Sequence, residues 1–361
     1  LADFSQSPYQ ETNANIVMNA FKGVTQVLNE YDANLKTLME QTKNDLSVAV
    51  EDINTKLDQL SELNSSIAHE IFSNNDYDGV NYGPNDLLDQ RNVILDDLSR
   101  YGDVQVTDLE DGKIQVKING KVVVDASGAS YTNDKLNIGS DGVTLTWNSN
   151  NQNANLGAGA IRGFTDMLTG ADPINAGIPY YQNKMDNFAQ TLADVFNNKI
   201  HADDPDFPDK YKFLLQGGVD GKVTAGNISI SDQWADDVSY IIRKQNPDGE
   251  LDNQDILDMK AAFEQDFNFG GEYTGTFSEF ITSVTNTLGS GIKTNSARMS
   301  ASLAIAESAD SERMGVSGVS LNEEGISMMT YNKAYQALGR LMTTMDEQLD
   351  MIINKMGIVG R

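Results

Sequence analysis

The chain has 361 residues, with 53 Asp and Glu against 26 Lys and Arg, a formal charge of −27 and no cysteine. The missing thiols exclude disulfides, thiolate metal sites and cysteine nucleophiles, and the acidic excess argues against nucleic acid and against docking on an anionic membrane. With 39% hydrophobic residues the chain can bury a substantial core. No run approaches the roughly 18 apolar residues that a membrane helix needs, and residues 1–11 show no secretory signal.

The seven prolines lie between Pro8 and Pro247, which leaves residues 9–83 and everything after 247 proline-free. In the first of these stretches Ile16, Val24, Val27, Leu28, Tyr31, Leu35 and Met39 follow an amphipathic helical pattern. Leu46, Val50, Ile53, Leu57, Leu60, Asn64, Ile67 and Ile71 then alternate spacings of 4 and 3, predicting a second helix with a heptad seam. Asn64 is its one polar member, a residue type that fixes register. A third helix is expected over 85–100, with Leu87, Leu88, Ile94, Leu95 and Leu98.

After Tyr101 the period becomes two. Val104 and Val106, then Ile114, Val116 and Ile118, then Val122 and Val124 alternate with other residues. Asn119–Gly120 is a strong two-residue hairpin signal, because both turn positions need φ > 0, and Asp111–Gly112 marks another turn. Further short strands are expected at Leu136–Ile138 and over 143–147, completing a small antiparallel unit.

Helix returns over 178–200, with Met185, Phe188, Leu192, Val195 and Phe196 on one face. An irregular stretch with strand-like pieces at 212–215 and 227–230 follows. From Asp252 the pattern reads as helical, with a Thr276–Phe277–Ser278–Glu279 capping box ahead of Phe280, Ile281, Val284 and Leu288. A linker over 314–320 leads to the last helix, opened by the capping box Ser320–Leu321–Asn322–Glu323.

That helix carries an apolar stripe which nothing nearby in sequence can bury. Ala334, Leu338, Leu341, Met345, Leu349, Ile352, Met356 and Val359 recur at spacings of 3 or 4 on one face. From Leu321 onward there are five acids and four bases, so the segment drops the charge that dominates the rest of the chain. A terminal helix of this kind is a packing or assembly element.

The expected class is α+β: a long helical bundle or coiled coil built from the N- and C-terminal segments, with a small antiparallel β domain inserted. The plan is N-terminal helices over 1–100, the β domain over 101–160, a returning helix over 161–200 and an irregular or β segment over 201–252. C-terminal helices over 253–361 complete the helical domain and include the terminal assembly helix 321–361.

No pattern supports catalysis. His69, near the end of the second helix, lacks the second His of a zinc helix. His201 lies among Asp203, Asp204 and Asp206 without the spacing of a metal site. Asn74–Asn75–Asp76–Tyr77–Asp78–Gly79 imitates a calcium loop, but its twelfth position is Asn85 where a bidentate Glu is needed, and around Asp248–Gly249 the first position is Lys244. Gly157, Gly159 and Gly163 form neither a dinucleotide fingerprint nor a P-loop and read as a tight connection into the next helix. No cofactor or metal is expected.

In this order the residues resemble the first flagellar hook-associated protein family, FlgK. The resemblance rests on Ser317–Gly–Val–Ser–Leu–Asn–Glu–Glu324, on Tyr331–Asn–Lys–Ala–Tyr335 and on the long apolar helix after them. It is reinforced by Asn85–Asp–Leu–Leu–Asp–Gln–Arg91 with the strand and turn that follow, by Gly157 to Gly163, and by Phe213–Leu214 in the place of an aromatic pair. It covers most of the chain apart from about residues 225–265. Family members begin with an N-terminal helix that pairs with the C-terminal one. No such segment precedes Leu1, so the resemblance implies a fragment without it. It further implies a structural protein that leaves the cell through the flagellar type III export apparatus and forms a ring of copies at the extracellular hook–filament junction. The implied partners are the flagellar hook protein, a second hook–filament junction protein and a cytoplasmic flagellar export chaperone that holds the C-terminal helix. The alternative from another class is a secreted surface adhesin or calcium-dependent binding module using residues 74–79 and the β unit.

Overall fold

The structure, a computed structural model, describes residues 10–74, 84–126, 132–200, 213–218, 221–242 and 253–351. The chain divides into two compact units, Leu1–Gly289 and Ser290–Arg361.

The first unit is organised along α1, Glu11–Asn74, a single helix of 64 residues and about 96 Å. Two helices were expected here, and one is found. The polar stretch over 40–45 contains neither proline nor glycine, and the buried Thr42 turns its hydroxyl back to the Leu38 carbonyl at 2.8 Å, so the helical ladder runs through.

Two cores lie along this helix. Against its first half, Ala14, Val17, Phe21 and Leu28 pack with residues from later in the chain. Phe21 meets Phe196 at 5.0 Å and Trp234 at 5.4 Å, both edge-on. Ile16, Val24, Val27 and Tyr31, which the periodicity also picks out, are exposed on a neighbouring face. Along the second half the seam residues Leu46, Val50, Ile53, Leu57, Leu60, Asn64 and Ile67 are all buried, and Ile71 is half-buried. Their partner is the β unit rather than another long helix.

Helix α2, Asn85–Ser99, buries Leu98 and Arg91. Strands β1 (Val104–Asp108), β2 (Ile114–Ile118), β3 (Lys121–Asp125) and β4 (Thr132–Asn133) form one antiparallel sheet in that order. The β2–β3 hairpin closes at Asn119 and Gly120, with φ of 49° and 80°. Between β1 and β2, Asp111 and Gly112 also take positive φ. Gly112 lies so close to Ile71 that a Cβ would stand 2.6 Å from its Cδ1. Arg91 donates from Nη1 to the Gly112 carbonyl at 2.6 Å, fixing this turn over α1. Burial lowers the Arg91 pKa, and Asp108 opposes that shift. β5 (Leu136–Ile138) and β6 (Leu145–Trp147) make a second hairpin.

The glycines at 157–163 open α3, Gly159–Thr169, so the returning helix expected over 161–200 is two helices. Helix α4, Ile178–Asn197, follows with a proline in its first turn. β7 (Leu215–Gln216) pairs with β8 (Ser229–Ile230), and α5 (Asp232–Asp236) buries Trp234. The region from Asp252 is not all helix. After α6, Gln254–Ala262, a hairpin of β9 (Phe267–Phe269) and β10 (Tyr273–Gly275) intervenes, turning at Gly270 and Gly271 with φ of 67° and 81°. Phe269 stacks on Phe280 at 4.3 Å, which ties the hairpin to α7, Phe277–Ser317. The expected box opens α7: Thr276 N–H donates to Glu279 Oε2 at 3.0 Å, and Glu279 N–H returns to Thr276 Oγ1 at 3.2 Å.

In the second unit α7 continues to Ser317, so only residues 318–320 connect it to α8, Leu321–Asp350. The architecture is α+β, with long helices at both ends of the chain and small antiparallel sheets between them.

Candidate assembly interface

Helix α8 begins where its sequence dictates. Ser320 is the N-cap, and its hydroxyl accepts the Glu323 N–H at 3.4 Å. No glycine or proline pair breaks the helix afterwards, and no described residue on it is buried. Ala334, Leu338, Leu341, Met345 and Leu349 share one face, and the four larger side chains are 50–59% exposed. Ile352, Met356 and Val359 lie outside the described residues.

The apolar surface is wider than the stripe read from sequence. Met328, Tyr331, Tyr335 and Met342 are 60–80% exposed beside it, and Leu321, Met328, Tyr331 and Tyr335 line a shallow groove on the same helix. At about 100° per residue, Leu341 and Met328 bound an arc of about 140°. The signal was present in the spacing of 331, 335, 338 and 342, which the choice of one stripe passed over. Helix α7 carries a second exposed apolar line at Leu288, Ile292, Met299 and Leu303. Between Gly325 and Met345 the only charged residues of α8 are Lys333 and Arg340.

Among the described residues no group of three or more His, Asp or Glu is placed to hold a metal. His69 lies exposed near the end of α1. His201 with Asp203, Asp204 and Asp206, residues 75–79 of the calcium-like stretch, Lys244 and Asp248–Gly249 all lie outside the described residues. Asn85 begins α2. Among the described residues no helix is long and apolar enough to cross a membrane.

The family model described as the flagellar hook-associated protein FlgK helical domain matches residues 1–209, more than half of the chain. A second, described as the flagellar basal body rod FlgEFG protein C-terminal, matches residues 311–355. Flagellar hook-associated protein 1 of Bacillus subtilis (strain 168) is 25% identical over 397 residues, covering 100% of this chain and 75% of that protein. The solved flagellar hook junction protein FlgK from Burkholderia pseudomallei aligns with 19% identity and a TM-score of 0.40, over 54% of this chain and 35% of that one. The chain belongs to the FlgK family of flagellar hook-associated proteins, and so to the structural components of the bacterial flagellum.

Proposed function

We propose that this chain is a structural junction subunit of the flagellum, standing outside the cell between hook and filament. It would reach that place by type III export and assemble there through its terminal helices. The FlgK helical-domain match over residues 1–209 carries the reading, and the uncovered face of α8 supports it, because exposed apolar surface of this extent on an acidic protein is interaction surface. Copies of the chain would form a ring, with hook protein on one side and a second junction protein on the other. Before export, a cytoplasmic chaperone would shield Ala334, Leu338, Leu341, Met345, Leu349, Ile352, Met356 and Val359. The β domain over 101–160, packed on the second half of α1, would face outward in the assembly. The adhesin or calcium-module alternative draws no support from either family match. Deleting the gene tests the proposal: cells should keep their hooks and lose attached filaments, and a normal number of filaments would contradict it.

A further inference from the structure

The 13 methionines divide unevenly between the two units. The five in the first, Met18, Met39, Met167, Met185 and Met259, are half-buried or buried. Eight lie in the much shorter second unit, and the seven of them that are described are all 51–73% exposed. Three of these, Met328, Met342 and Met345, fall within the apolar arc of α8, Met342 beside Leu341 and Met345 between Leu341 and Leu349. Met329 falls outside it, about 120° around the helix from Leu341 on the other side. With no cysteine in the chain, no thiol intercepts an oxidant first, and both tryptophans are buried. The exposed thioethers are therefore the side chains most open to oxidation.

We propose that Met328, Met342 and Met345 are modification sites for hydrogen peroxide on the unassembled chain, and that their sulfoxides keep α8 from taking its place in an assembly. Each modification consumes one peroxide. Its O–O bond breaks, one oxygen bonds to the thioether sulfur and the other leaves as water, so sulfur loses the two electrons that peroxide gains. The product is a polar, chiral side chain in place of a flexible apolar one. An arc that has to be covered by apolar surface would then bury sulfoxide oxygens without donors, which opposes its burial. This rests on the assembly reading above and adds a chemical control of the same face.

The test treats the full chain with hydrogen peroxide at a dose that leaves the fully buried Met259 unmodified. Peptide mass mapping, tryptophan emission and sedimentation are read on the same sample. The expected result is sulfoxide at Met328, Met342 and Met345, native emission and loss of sedimentable assemblies, with recovery after methionine sulfoxide reductase treatment. The triple variant Met328→Leu, Met342→Leu, Met345→Leu nearly conserves volume and should assemble and stay resistant, whereas Met329→Leu should stay sensitive. Unimpaired assembly of a chain carrying the three sulfoxides would overturn the proposal, and so would equal sensitivity of the triple variant. If the untreated chain forms no sedimenting assembly, the assembly reading fails and the block with it. The oxidation sites then stand or fall on the peptide map alone, and a map without sulfoxide at the three positions overturns them.

Discussion

Asn64 and Ile114 exchange two hydrogen bonds: the Asn64 amide donates to the Ile114 carbonyl at 2.8 Å, and the Ile114 N–H donates to Asn64 Oδ1 at 3.1 Å. Ten residues earlier on the same helix, Asn54 does the same for Leu136, at 2.9 and 2.8 Å. Each asparagine replaces the strand partner that the first residue of β2 or β5 lacks on that side, so α1 sets the position of both hairpins along its length. Asn64→Ala removes both bonds at a fully buried site and strands an N–H and a C=O, at a cost of about 3 kcal/mol. Asn54→Ala, at a half-buried site, should cost less. Denaturant midpoints for the two variants check the order.

Two glycines of one motif should respond with opposite signs. A Cβ at Gly159, where φ is 77°, would overlap the Tyr101 carbonyl and the Gly102 nitrogen, all main chain. Gly159→Ala should therefore destabilise by more than about 3 kcal/mol. A Cβ at Gly163, inside α3, meets nothing, and Gly163→Ala should stabilise by about 1 kcal/mol. Thermal unfolding of the two variants separates them.

The Asp141 carboxylate is held at a pKa of about 2, below its ordinary 3.8, first by the Thr144 hydroxyl and then by the Thr144 and Val143 N–H groups. A depressed carboxylate stabilises the fold above its unfolded pKa and loses that contribution as the pH falls through its folded value. Asp172 is lowered in the same way by the Asn175 and Ile174 N–H groups. An NMR titration of the Asp141 carboxyl should give a midpoint near 2. Thr144→Val should move it upward, and an unchanged midpoint would contradict the hydroxyl's role.

Leu341→Asp with Met345→Asp should block assembly without unfolding the protein, because no described residue of α8 is buried. Trp147 and Trp234, the two tryptophans, are both buried in the first unit, so their emission should stay native while sedimentable assemblies vanish. A shifted emission maximum would mean that the seam supports the fold instead.

Much of this was legible because backbone chemistry is local. Asn119–Gly120 and Thr276–Glu279 specify their turn and cap whatever surrounds them. The seam from Leu46 to Ile67 was also readable as buried, but periodicity says which side is covered and not by what. A sheet lies against it, and Asn64 serves a strand instead of a paired helix. The single helix over 11–74 escaped because the polar stretch over 40–45, with Thr42 in the seam position between Met39 and Leu46, looks like a break although the apolar face continues in phase across it. The β9–β10 hairpin escaped because its strands are three residues each, and only Gly270–Gly271 between Phe269 and Tyr273 betrays it. On α8, reading a single stripe hid Tyr331, Tyr335 and Met342, since a seam and a wider face share their first few positions.

The most direct test of the junction role is immunogold labelling of intact flagellated cells with antibody to this chain. One discrete spot per flagellum, where hook meets filament, is the predicted result. Label spread over the cell envelope, or along the whole filament, would contradict it.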